Sequence, residues 1–201
     1  MATADLQLHR TRFLDRPLAD WLALNWEKVL YAALFVALLL TRFYDLGTRA
    51  MSHDESLHTY YSWQLFQGRG FEHTPLMHGP LQFHLIALSY FIFGDSDFTA
   101  RIPAVLTSIA FVGMLWVFRD WIGRTGALIA TALAIISPFL LYYARYTRED
   151  PYALLAVVLT VWAIFRYMGS REKKWLYLLT FGTFLHYSTK ETSFMYHSIF
   201  I

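Results

Sequence analysis

The chain has 201 residues, 56% of them apolar, 18% aromatic and 16% charged, with a net charge of +2 and no cysteine. An ordinary soluble domain is about 45–50% apolar and about 25% charged. The balance therefore excludes a disordered chain, a basic nucleic-acid-binding domain and an average soluble enzyme, and the missing cysteine excludes a disulfide framework, a thiolate zinc site and a Cys nucleophile. What remains is a multi-span membrane protein with aromatic residues at its interfaces.

Residues 1–25 are polar, with Arg10, Arg12 and Arg16, and lack the apolar stretch and small-residue cleavage site of a signal peptide. Five stretches have the composition of membrane spans: 26–43, 101–119, 125–143, 151–169 and 174–190. A sixth, 79–93, is apolar but short, and is bounded by Gly79-Pro80 and Gly94. Basic residues favour the cytoplasmic side. If 79–93 does not cross, Arg119, Arg124, Arg171, Lys173 and Lys174 join the N-terminal arginines on one side. If it crosses, they face the opposite way. The expected arrangement is thus all-α: a polytopic bundle of five spans behind a cytoplasmic segment 1–25. A large first outer loop, 44–100, carries two interfacial helices, 55–67 and an amphipathic 80–93. The apolar end at Phe200 and Ile201 reads as the N-terminal part of a longer protein.

Three charged clusters fall on the outer side. The first is Ser52-His53-Asp54-Glu55. Ser52 and Glu55 have the spacing of a capping box, and Asp54 suits the positive end of a helix. Asp54 also has the chemistry of a base or a metal ligand. The same loop holds His58, His73 and His78, the last before a Gly79-Pro80 turn, where it could meet a phosphate or a metal; the spacing matches no strong metal signature. The second cluster is Arg145 to Pro151. Pro151 suits a first helical turn, with Asp150 as its N-cap. Ion pairs with Glu149 and Asp150 account for Arg145 and Arg148, and so does phosphate binding by the two guanidiniums. The third is Lys190-Glu191. The inner face has no comparable mixture, so the outer face is the expected site.

These clusters, in this order, resemble the N-terminal half of GT-C membrane glycosyltransferases, a group that includes protein O-mannosyltransferases and lipid A aminoarabinose transferases. The chain is most similar to the GT-C-like flippase-activity-associated proteins of bacteria and archaea. The matching pieces are His53 to Ser56, His78 to Pro80, Phe93 to Asp97 with the following Ala100-Arg101-x-Pro103, Ser137 to Asp150, and Thr189 to Glu191. Polyprenyl-phosphate-dependent transferases often carry Lys before the Pro turn, where this chain has His78.

The resemblance implies an inverting transfer of a hexose or pentose from a polyprenyl-phosphate donor to an acceptor on the extracytoplasmic face of the plasma membrane. In that reading Asp54, Glu55 and Asp150 are the catalytic carboxylates. His78, Arg145, Arg148 and Lys190 meet the donor phosphate. A divalent metal ion on Asp54, Glu55 or Asp150 is the one cofactor implied. The implied partners are the lipid-linked sugar, membrane lipid and a flippase, with no nucleic acid. Two other functions fit the same residues: a non-catalytic partner of a lipid-linked-sugar flippase, and a transporter fragment. Transporters place such charges near the bilayer midplane rather than at span ends.

Overall fold

A computed structural model describes residues 26–71 and 78–200. The expectations for the cytoplasmic segment 1–25 and for His73 lie outside the described residues. The chain divides into a unit of residues 1–33, described only from Trp26, and a unit of residues 34–201. The described residues form helices without a strand: α1 (Trp26–Phe43), α2 (His53–Phe66), α3 (Leu81–Phe93), α4 (Asp97–Leu115), a 3₁₀ turn (Trp116–Phe118), α5 (Arg119–Ile136), α6 (Pro138–Ala144), α7 (Asp150–Ser170), α8 (Lys173–Tyr187) and α9 (Ser193–Phe200).

Local signals explain most of the boundaries. Ser52 is extended (φ −74°, ψ 172°) and caps α2; the Glu55 N–H donates to its hydroxyl, and the Glu55 carboxylate accepts from the Ser52 N–H. Gly94 ends α3 at φ 82°, a left-handed conformation that suits glycine. Two residues later Ser96 opens α4 through a second capping box, with Thr99. Asp95, between them, accepts a 3.0 Å bond from Trp63 Nε1. The Phe93 to Asp97 run is thus a hinge between two helices, clamped to α2.

The expected span 125–143 is interrupted. Ser137 (ψ 119°) accepts from the Leu140 N–H and Pro138 opens α6, where the proline ring lacks a backbone donor and disfavours a helical Ser137 before it. Gly123 (φ 75°, ψ 164°) breaks the segment 97–136 about two thirds of the way along. Val112 then packs in one cluster with Ala134, Ile135 and Leu38, a meeting that requires the chain to fold back at the glycine. Segments 97–136 and Asp150–Ser170 are long and apolar enough to cross a membrane. The helix within 174–190 stops at Tyr187; its 15 residues reach only about 22 Å, short of a hydrocarbon core of about 30 Å.

The expectation of an amphipathic 80–93 is corrected. α3 is apolar on both faces: Phe83, Ile86 and Tyr90 are buried against the protein, while Leu88, Phe91 and Ile92 are exposed. A helix apolar all round is suited to an apolar environment on both sides. Ile86 and Tyr90 join Ala100, Met51, Trp63 and Phe66 in a second core beneath the loop between α1 and α4. α7 and α8 approach closely at small residues. A Cβ on Gly182 would lie 2.8 Å from Thr160 Oγ1, and Ala156, Thr160 and Ala163 are all buried.

Candidate functional site

One backbone contact brings distant motifs together. The Gly79 N–H donates to the Thr189 carbonyl and the Leu81 N–H to the Ser188 carbonyl, both at 3.0 Å. A Cβ on Gly79 would fall 2.1 Å from the Ser188 oxygen, so only glycine permits this approach. The His78-Gly79-Pro80 turn is thereby laid on the end of α8, which puts His78 beside Lys190 and Glu191. The His78 ring contacts Glu191 Oε2 at 3.3 Å through Nδ1 and Glu149 Oε1 at 3.5 Å through Nε2.

Glu149 is the centre of this cluster and is fully buried. Around it stand Lys190 Nζ at 3.3 Å, Arg148 Nε at 3.4 Å, His78 Nε2 at 3.5 Å and His58 Nε2 at 3.9 Å. Burial alone raises the Glu149 carboxyl. A backbone N–H and the positive charges of His78, Lys190 and Arg148 outweigh it and hold the group below the usual carboxylate range. Burial pushes the His58 imidazole down; His78 and Arg148 push the same way, against Glu149 and Asp54. Glu149 Oε2 and His58 Nδ1 have no hydrogen-bond partner among the described residues.

Asp150 flanks this centre. It is the first residue of α7 rather than its cap: Glu149 takes the cap position without a side-chain bond, and Pro151 follows. Asp150 accordingly spends its carboxylate on Lys190 Nζ at 3.1 Å and Arg148 Nε at 3.4 Å. Arg148 also reaches Asp54 Oδ2 at 3.5 Å. Asp54, His78, Arg148, Asp150 and Lys190, drawn from four segments, therefore meet around one buried glutamate. Asp54 is about half exposed and Arg148 and Asp150 about a third, so the cluster is open to ligands. Asp150 and Lys190 also line a cavity of about 340 Å³ whose other walls include Phe111, Leu140, Leu154 and Val157. A charged mouth opens on a largely apolar interior that also takes in Arg42, Ser108 and His186.

Two expected site residues lie elsewhere. Glu55 is fully buried behind Asp54. Its Oε1 accepts from Arg101 Nε and the Thr147 N–H, both at 3.1 Å. Its Oε2 accepts from Arg49 Nη2 at 2.7 Å, and from Arg101 Nη2 and the Ser52 N–H at 3.3 Å. A carboxylate has about four acceptor positions, and these five donors fill them. Burial raises its carboxyl, but the bonds from Arg101, Thr147 and Ser52 hold it below the usual range. Arg145 points away from the cluster: its Nη2 donates to the Tyr44 carbonyl at 2.5 Å.

A resident metal does not fit the donors as arranged. Among the described residues no three of His, Cys, Asp and Glu are placed to hold one. Glu55 is spent on two arginines, and the Arg148 guanidinium contacts both Asp54 and Asp150.

Sequence reasoning named Glu149 only as an ion-pair partner and Arg101 only as part of a motif. A signal for both was present: a guanidinium or carboxylate flanked by apolar helix must be paired if it is buried. Which partner it finds depends on contacts 46 residues apart for Arg101 and Glu55.

No curated protein and no solved structure matches the chain. The family model for dolichyl-phosphate-mannose-protein mannosyltransferase matches residues 77–201, well over half the chain. The match takes in His78, Arg148 to Asp150 and Lys190, and leaves out the segment with Asp54. With a charged cluster at the mouth of an apolar cavity and this match across most of its helices, the chain belongs to the dolichyl-phosphate-mannose-protein mannosyltransferase family of GT-C membrane glycosyltransferases.

Proposed function

We propose that the chain carries the reaction site of a transferase that moves a sugar from a polyprenyl-phosphate donor to a hydroxyl on the extracytoplasmic face of the plasma membrane. The observation that supports it most is the cluster of carboxylates and cations at the rim of the apolar cavity. A lipid-linked sugar phosphate has the same polarity: an apolar tail, an anionic junction and a polar sugar. The tail would enter between Leu154, Val157 and Phe111, with the phosphate at Lys190 and Arg148.

In the reaction the acceptor oxygen attacks the anomeric carbon as the bond from that carbon to the phosphate oxygen breaks. The bonding pair leaves with the lipid phosphate, and Asp54 takes the acceptor proton. Lys190 and Arg148 offset the charge that gathers on the leaving phosphate. His78, held between Glu149 and Glu191, adds a third donor on that side. Glu149 orients these cations from beneath, and Asp150 fixes Lys190 and Arg148 at the cavity rim. No step runs through a metal. Five crossings complete this reading: α1, the segment 97–136 passing twice, α7, and the short α8 with the bilayer thinned around it, while α2 and α3 lie at the outer interface.

Asp54→Asn in the full-length protein tests it, with transfer from a polyprenyl-phosphate sugar measured in proteoliposomes. Asparagine cannot accept the proton, and loss of a general base costs about 10²–10⁴ in rate. Thermal unfolding should be unchanged, because Ser52 and not Asp54 caps the helix. Full activity in Asp54→Asn would overturn the catalytic reading and favour a flippase partner that handles the lipid without chemistry.

A further inference from the structure

Arg145 belongs to the charged run before α7, yet the fold takes it out of the cluster that Arg148 and Asp150 share. It lines a separate cavity of about 410 Å³ with Asp45, Thr48, Arg49, Leu141 and Tyr142. This cavity lies between the loop after α1 and helix α6, and shares no lining residue with the one that holds Asp150 and Lys190. Among the described residues Arg145 has no carboxylate within ion-pair distance. It donates only to the Tyr44 carbonyl, and its Nε is buried without a partner.

The charges around it do not balance. Arg49 reaches Glu55, but Glu55 is also the counter-ion of the buried Arg101. Arg42, close enough to Arg145 to repel it, is fully buried and spends its donors on Ser108, Ala134 and Ile135, again without a carboxylate. Four guanidiniums thus stand against Glu55 and Asp45. Arg49 also lies over the rings of Tyr142 and Tyr146, at 5.4 and 5.3 Å, and lines the same cavity. A planar guanidinium with free edges favours a phosphate.

The rim says where that phosphate comes from. Tyr44, whose carbonyl meets Arg145, is 77% exposed, and Tyr142 is 49% exposed. Aromatic side chains exposed at the ends of apolar helices mark the level of lipid headgroups. We propose that the cavity of Arg49 and Arg145 binds the phosphate of an anionic membrane phospholipid, with the lipid's glycerol and acyl chains against Tyr44, Leu141 and Tyr142. This site is distinct from the reaction cluster and does not depend on the transferase reading.

The test uses the full-length protein in detergent and counts bound lipid by native mass spectrometry. The probes are dihexanoyl phosphatidylglycerol, dihexanoylglycerol without phosphate, and inorganic phosphate. Phosphatidylglycerol should bind, and dihexanoylglycerol should not. Arg145→Gln should weaken binding about tenfold or more, the scale of a lost charge-assisted bond. Thr48→Glu, a change at an exposed position that brings a negative charge to the cavity, should do the same and serves if Arg145→Gln fails to fold. Lys190→Gln should leave binding within about twofold. Unchanged binding in whichever of the two cavity variants folds overturns the proposal. So does equal weakening by Lys190→Gln, which would move the phosphate to the reaction cluster. Displacement by inorganic phosphate at equal concentration would make the site one for a free anion and overturn the lipid source.

Discussion

Glu55 and Glu149 are both fully buried glutamates, and they are built in opposite ways. Glu55 is held by two guanidiniums and two backbone N–H groups, with contacts from 2.7 to 3.3 Å. Glu149 sits among two histidines, a lysine and an arginine at 3.3–3.9 Å, with one oxygen lacking a hydrogen bond. The first arrangement is saturated by donors of fixed charge and geometry. The second is loose and titratable, and its cations are shared with Asp54 and Asp150 on the open side. A saturated buried carboxylate holds a scaffold. An under-bonded one whose neighbouring cations are shared with carboxylates on the open side leaves those cations able to turn to a ligand. The adjacent residues Asp54 and Glu55 divide accordingly: Glu55 ties α2 to α4 and to the chain before α7, and Asp54 faces the site.

The largest effect should come from Glu55→Ala. Arg101, itself fully buried, would keep its charge without a counter-ion, which typically costs about 3–5 kcal/mol. Thermal unfolding in detergent should show a large loss, and Glu55→Gln a smaller one because the amide oxygen can still accept from Arg101. A tolerant Glu55→Ala would dissolve the contrast between the two glutamates.

Next is Gly79→Ala. The new Cβ must push the Ser188 carbonyl away and strain two 3.0 Å backbone bonds. A loss of about 1–3 kcal/mol is expected. Because His78 moves with the turn, transfer should fall further than stability explains. Activity that tracks stability alone would show that His78 has no part in the site.

Acid should separate the clusters further. The His58 imidazole is depressed below its ordinary value of about 6.5. As pH falls past that value the unfolded chain takes a proton that the folded chain refuses, so stability declines. Glu55 and Glu149, both depressed, contribute stability that is present above about 4.5 and lost as pH falls through their lower folded values. His58→Gln should therefore reduce the slope of unfolding temperature between about pH 6.5 and pH 5, with the likewise depressed His197 keeping the remainder, while leaving the steeper loss at lower pH. A wild-type curve already flat in the upper window would remove His58 from the account.

The smallest expected change is Tyr146→Phe. It removes a 2.5 Å hydrogen bond to the Ser52 hydroxyl, which remains the cap of α2. About 0.5–1.5 kcal/mol should be lost, with transfer intact.

Much of this was readable from residues alone. Composition determined an all-helical membrane class, and the Ser-x-x-Glu spacing determined the start of α2, because both are local properties of a helix and its solvent. Runs of charge marked where chemistry could sit. The sequence also held a signal for the break at Ser137-Pro138, a capping serine followed by a proline suited to a first helical turn, although hydropathy alone ran through it. Only the tertiary structure decided which charge meets which. Arg101 chose Glu55 across 46 residues, Lys190 chose Asp150 across 40, and Arg145 turned from the run in which it stands to a different cavity. Buried charges are paired by where the packed helices bring them, and that placement depends on contacts such as Gly79 on Ser188, which no spacing along the chain encodes.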